Sequence, residues 1–247
     1  MITILGSCRQ HPIKNIFTVN NIQEEVNYSH NTKEILQTIY LCKKKLVFPK
    51  ELQISTLRTP ILNKKPINFE KIYKEYSQSK LIVIEIASSK CHEMNINNNI
   101  IQCHHIAYDK PSQYKIRPNM KTLIHLRKQT EEEIKSDILK IKEEIKPKKL
   151  IIVTHFATNK TTSRYKLIKL VENTCNKLNI PVINPDILLQ NNTVEELFEN
   201  KANIDIINKQ DTNYTWIAHY SELGNSLIQK LYEKKIKEIL MNDNLLD

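Results

Sequence analysis

Two residues able to act as a nucleophile and a base stand near opposite ends of the chain, each beside a glycine. Cys8 closes Ile2-Thr3-Ile4-Leu5-Gly6-Ser7-Cys8-Arg9, and His219 opens His219-Tyr220-Ser221-Glu222-Leu223-Gly224. Gly6 and Gly224 are the two glycines among 247 residues, so each is expected where a side chain cannot go, at positive φ or at close approach to another group. A thiol becomes a nucleophile as its thiolate, which a neighbouring cation and a histidine partner favour. Arg9 and His219 can supply both. The competing reading is structural, with Cys8 a small buried residue at a strand end and His219 a helix-capping or core histidine.

Other residues extend or compete with this pair. His155 ends an apolar strand and is a candidate to line a pocket there, as are Ser88 and Ser89 after Leu81–Ile86. Glu85 lies inside that second apolar run, where a carboxylate must find a partner; Arg9 or a nearby lysine would serve. Cys91-His92 and Cys103-His104-His105 could face each other across a hairpin as zinc ligands. Their spacing fits no compact pair of C-x-x-C knuckles, and no metal is expected.

The elements that must position these residues alternate in type. Apolar, β-branched runs at 2–5, 81–86, 150–154 and 180–184 read as strands, and Leu52–Leu57 as a weak short strand or an irregular link. Helical spacing covers 31–45, 69–76, 129–145, 161–178, 193–200 and 221–241, with Asn31 and Ser221 as caps. From 91 to about 120 the pattern is irregular, with a hairpin whose second strand runs from Ile100 to Ala107; this is a lid or insertion candidate. Strands alternating with long helices imply right-handed crossovers and a parallel sheet covered on both faces. The expectation is one domain over 1–247, a three-layer, flavodoxin-like α/β fold of about five strands. In such sheets reacting groups gather beyond the carboxyl ends of the strands, where Cys8-Arg9, Ser88-Ser89 and His155 would fall.

Composition narrows the partners. The net charge of +10 and pI near 9.2 ordinarily suggest nucleic acid. Lys far outnumbers Arg and Asn and Ile abound, a bias that AT-rich codons produce without a binding surface, so nucleic acid is not the expected partner. Five scattered cysteines suit a reducing compartment. No basic, apolar leader and no membrane-length run is visible, so a soluble, cytoplasmic protein is expected.

Leu5-Gly6-Ser7-Cys8 resembles the G-D-S block that opens SGNH (GDSL-type) hydrolases, with Cys8 at the serine nucleophile's place and Ser7 at the aspartate's. His219 with Gly224 is similar to that superfamily's last block, and Ile84-Glu85-Ile86-Ala87-Ser88-Ser89-Lys90 to the strand and G-x-N-D turn that supply an oxyanion donor. The chain departs from the pattern at Trp216, which stands where a histidine-orienting aspartate is usual, and at Ala87 and Ser89. The nearest neighbours are SGNH-like proteins of polysaccharide biosynthesis whose first block reads G-x-C. The resemblance implies acyl transfer on an ester or thioester by Cys8 and His219, with Ser7, Arg9, Ser88, Ser89 and His155 around the oxyanion and substrate. It implies a carbohydrate acceptor, no required cofactor, and an acyl-CoA as a suitable donor. The rivals are an SGNH-like binding or scaffold protein without chemistry and a basic nucleic-acid-binding protein.

Overall fold

A parallel sheet is built from β1 (Ile2–Leu5), β2 (Leu81–Ile86), β6 (Lys149–Thr154) and β7 (Val182–Ile183), adjacent in that order. The computed structural model describes residues 1–96, 98–105, 107, 123–199 and 219–241. Between β1 and β2 run a 3-10 turn (Cys8–Asn15) and α1 (Ile22–Glu25), α2 (Thr32–Cys42), α3 (Lys50–Thr56), α4 (Arg58–Asn63) and α5 (Phe69–Ser77). A second, antiparallel sheet of β3 (Lys90–Ile96), β4 (Asn99–Gln102) and β5 (Ile124–Lys128) is followed by α6 (Glu131–Ile145), which leads into β6. α7 (Ser163–Lys177) joins β6 to β7; a 3-10 turn (Pro185–Gln190), α8 (Val194–Leu197) and α9 (Glu222–Met241) follow.

β2 is buried at every position because helices cover both of its faces, which is what its unbroken apolar run demands. On one face Leu5, Ile82, Ile84 and Ile152 pack with Ile35 and Ile39 of α2, Ile138 and Ile141 of α6, and Val171 of α7. On the other, Ile4, Val83, Ile151 and Val153 meet Ile228, Tyr232 and Ile236 of α9. The helix starts follow local chemistry: Asn31 accepts the Glu34 N–H at 3.0 Å, and Thr130 forms a reciprocal capping box with Glu133.

Four expectations change. The parallel sheet has four strands rather than about five; a fifth position is reduced to one parallel bridge between Ile2 and Val19. Beside this bridge Asn20 donates its N–H to the Ile2 carbonyl and turns its side chain to Thr3 and Ser79, with Nδ2 2.6 Å and 3.2 Å from their hydroxyls. Leu52–Leu57 is not a strand: α3 spans Lys50–Thr56, where Ser55 and Thr56 return their hydroxyls to the Leu52 carbonyl. The hairpin in the stretch from 91 to 120 belongs to a sheet completed by Ile124–Lys128, and its second strand is Asn99–Gln102, not Ile100–Ala107; residues 106 and 108–122 lie outside the described part.

Both glycines sit at close approaches, neither at positive φ. A Cβ on Gly6 would lie 2.7 Å from the Glu85 Cβ, and one on Gly224 would run into the Leu197 carbonyl oxygen. Gly6 thus lets the Cys8 loop lie directly on β2, and Gly224 lets α9 dock against α8. Among the described residues, no helix is long and apolar enough to cross a membrane.

Candidate functional site

The loop that carries Cys8 is fastened from below by a buried carboxylate. Glu85, 1% exposed, points from β2 toward the end of β1, and its Oε2 accepts the Ser7 N–H at 2.8 Å. Its Oε1 lies 4.0 Å from Nε of Arg9 and 3.4 Å from Nδ1 of His155. The sequence demanded a partner for this carboxylate, and Arg9 is one of three. Burial alone would raise the Glu85 carboxyl, but hydrogen bonding from His155 and Ser7 and the Arg9 charge hold it well below the usual carboxylate range. His155, also buried, is pushed well below the usual imidazole range by desolvation and by the charges of Arg9 and Arg164. The pair is therefore an ionised Glu85 beside a neutral His155.

Ser7 caps the 3-10 turn, its Oγ accepting the Arg9 N–H at 3.3 Å. The Arg9 guanidinium is buried and lies 5.5 Å from the Phe156 ring centroid. At the far end of the turn, Gln10 accepts the Tyr232 hydroxyl of α9 at 2.7 Å, so the C-terminal helix grips the same turn.

Cys8 itself is half-buried, whereas Cys42, Cys91, Cys103 and Cys175 are buried. Burial pushes its thiol above the ordinary value; Arg9 and Arg58 pull it down and Glu85 pushes it up. The Arg9 effect read from the sequence is present, but desolvation outweighs it. At neutral pH the sulfur keeps its proton, so any attack by it needs a base.

Three residues that the sequence reading passed over stand around this thiol. His11 lies one 3-10 turn beyond Cys8, and residues three apart in such a turn share a face. Its Nε2 is 3.1 Å from the Tyr28 hydroxyl, and the Arg58 guanidinium lies 4.4 Å from the Tyr28 ring centroid. The charge of Cys8 acts on Tyr28, and that of His219 on His11. The C-x-x-H spacing of Cys8 and His11 was the available signal, and a polar loop containing Pro12 concealed it.

His219 is exposed, just before α9, and its charge reaches His11. Trp216 lies outside the described residues. Ser88 and Ser89 are half-buried at the end of β2; the Ser88 N–H, with that of Ala87, donates to the His30 carbonyl at 2.9 Å, and the Ser88 Oγ accepts the Lys90 N–H. Cys91 and Cys103 are buried, and the His104 and His105 rings lie 4.6 Å apart. Among the described residues no group of three or more His, Cys, Asp or Glu is placed to hold a metal ion.

Fold and site together define an α/β domain that presents one half-open thiol at the carboxyl edge of a parallel sheet. The chain belongs to the family of TviD N-terminal domains, whose family model matches residues 1–110 and 109–203. Cys8, His11, Tyr28, Glu85 and His155 lie within the matched spans and His219 beyond them. No curated protein and no solved structure matches the chain.

Proposed function

We propose that this domain transfers an acyl group in glycan modification, with Cys8 as nucleophile and His219 as its base. The observation that carries the reading is the position of Cys8: the one cysteine that is not buried stands at the carboxyl edge, on a loop held by Glu85, within reach of the Arg9 and Arg58 charges. The family connection supports it by linking the chain to polysaccharide biosynthesis and acetyl transfer. The strand order supports the SGNH-like component. With the Val19 bridge counted as second, the sheet reads 2-1-3-4-5, the flavodoxin-like order, whose ligands sit at the carboxyl ends.

In this reading His219 takes the thiol proton as sulfur attacks the donor carbonyl, and the Cys8 N–H with Ser89 or Ser88 faces the developing oxyanion. Collapse expels the leaving group, which takes the proton from His219. A sugar hydroxyl then attacks the thioester; with water in its place the reaction is hydrolysis. An acyl-CoA suits the donor side, and the Arg58 charge suits an anionic group on either substrate. Incubation with 4-nitrophenyl acetate or acetyl-CoA followed by intact-mass analysis tests this. A mass gain of one acetyl, absent in Cys8→Ser and slowed in His219→Ala, is expected. A wild-type protein that gains no acetyl from either donor refutes it.

The raised thiol and the exposed His219 favour a second reading, a binding domain that keeps the fold without the chemistry. Glycan binding by a protein whose Cys8 stays unacylated would establish it.

A further inference from the structure

Acyl transfer through a thioester moves two protons at different times, and only one of them is the thiol's. The acceptor hydroxyl must also lose its proton, on the side from which it approaches the thioester carbonyl. We propose that Tyr28 and His11 form the relay that receives this second proton. The inference rests on the reading of Cys8 as the acylated residue.

Three independent placements lead to it. Cys8 and His11 occupy equivalent positions on successive turns of the 3-10 helix, so the imidazole and the thiol share one face. Tyr28 comes from a different segment, the loop between α1 and α2, and its hydroxyl is 3.1 Å from His11 Nε2. The loop is held in place where the Arg58 N–H donates to the Val26 carbonyl at 2.7 Å and the Arg58 guanidinium stacks 4.4 Å from the Tyr28 ring centroid. Tyr28 is thus hydrogen-bonded to the imidazole and lies within the electrostatic reach of Cys8.

The charged and titratable groups facing His11 are Lys14 on its own turn, Glu24 on α1 with Oε1 3.8 Å from Nε2, Arg58 on α4, Tyr28, and His219 ahead of α9. Desolvation and Lys14 hold the imidazole below its ordinary value and Glu24 offsets part of that, so His11 is neutral at pH 7 and able to accept. Burial keeps the Tyr28 phenol protonated, as a relay requires.

The step balances. The acceptor oxygen forms its bond to the acyl carbon while the carbon–sulfur bond breaks, and sulfur leaves with the electron pair. The acceptor's proton passes to the Tyr28 oxygen as the Tyr28 proton passes to His11 Nε2. The imidazolium then returns a proton to the Cys8 thiolate, and the resting thiol is restored.

Burst kinetics with 4-nitrophenyl acetate separate the two halves, with water as acceptor. Release of one equivalent of nitrophenol reports acylation, and the later steady phase reports deacylation. Tyr28→Phe and His11→Gln are expected to slow the steady phase by about 100-fold, the usual scale of one general base, and to slow it at least about tenfold more than the burst. The steady phase of the wild type should fall as pH drops through the His11 pKa, and that fall should vanish in His11→Gln. Added imidazole should restore deacylation in His11→Ala, a recovery that a merely structural loss would not give. A wild-type burst whose steady phase neither substitution slows overturns the relay and leaves Cys8 as nucleophile. A wild type with no burst overturns the Cys8 reading and the relay with it.

Discussion

Replacing Glu85 by glutamine separates the charge of this carboxylate from its shape. Glutamine keeps an oxygen for the Ser7 N–H, now 2.8 Å from Oε2, but removes the counter-ion that Arg9 has among the described residues. A unit charge pair at 4.0 Å, the Arg9 to Glu85 separation, is worth about 4 kcal/mol at an effective dielectric of 20. Removing one partner of a buried pair typically costs about 3–5 kcal/mol, because the orphaned charge remains. For a chain of this size that is a fall of about 10 °C in Tm. The thiol should respond in the opposite sense. Glu85 raises the Cys8 thiol, so neutralising it lets Arg9 and Arg58 draw the thiol down, and alkylation by iodoacetamide at pH 7 should quicken in a less stable protein. Thermal melts and a pH series of alkylation rates, read by mass spectrometry, provide both numbers. Glu85→Gln with Arg9→Gln should recover part of the loss, since the orphaned charge is gone. A Tm within about 2 °C of wild type, or slower alkylation, refutes the account of the cluster.

Other consequences are simpler to check. With one half-buried cysteine and four buried, a thiol titration should label one group in the native protein and all five in denaturant; two or more fast native thiols would contradict the burial pattern. Gly224→Ala places a methyl against the Leu197 carbonyl and should loosen α9 from α8, a loss of about 1–3 kcal/mol seen as a lower urea midpoint; an unchanged midpoint contradicts that contact. Stability should begin to fall at unusually mild acidity. His104 and His155 are held well below the ordinary imidazole value and His105 is pushed down to about 3, in each case by burial first. Folded values below the unfolded one near 6.5 mean that the unfolded chain binds more protons below pH 6.5, so each such imidazole removes about 2 kcal/mol by pH 5. Glu85 and Glu34, held below the ordinary carboxylate range, add their losses only below about pH 4.3. Equal urea midpoints at pH 7 and pH 5 would refute the histidine assignment.

Much of this architecture was legible because burial on both faces writes continuous apolar runs. Leu81–Ile86 and Leu150–Thr154 could hardly be anything but interior parallel strands, and Glu85 announced itself by violating the run. The scarcity of glycine made Gly6 and Gly224 informative, and both are explained by close packing rather than by backbone conformation. Short elements were less visible. Leu52–Leu57 alternates like a strand, yet Ser55 and Thr56 bond locally and the segment coils. Of the second sheet only a hairpin within an irregular stretch was legible, because its strands are mixed in polarity: Glu93 stands opposite His125 and forms its ion pair with Arg127. Tyr28 and Arg58 belong to the site through contacts between distant segments, which no local spacing records. His11 was within reach of a local argument, since three residues separate it from Cys8, but that spacing matters only once the turn is known to be 3-10.

The registers of the sheet also say when the site comes into being. Ile2 pairs with Leu81, and Leu81 in turn with Lys149. β1 leaves the ribosome first and then waits for a partner encoded about 80 residues later, roughly 4–16 s at ordinary rates of synthesis. Contacts so remote in sequence make folding slow, because the loop entropy is lost before the pairing returns anything. Over that interval the Cys8 segment has no scaffold beneath it. The carboxylate that holds the Ser7 N–H arrives on β2 itself, so the strand that completes the pairing also delivers the anchor of the Cys8 loop. The nascent thiol is an ordinary cysteine on a flexible chain, and it acquires its neighbours in the same event that closes the sheet.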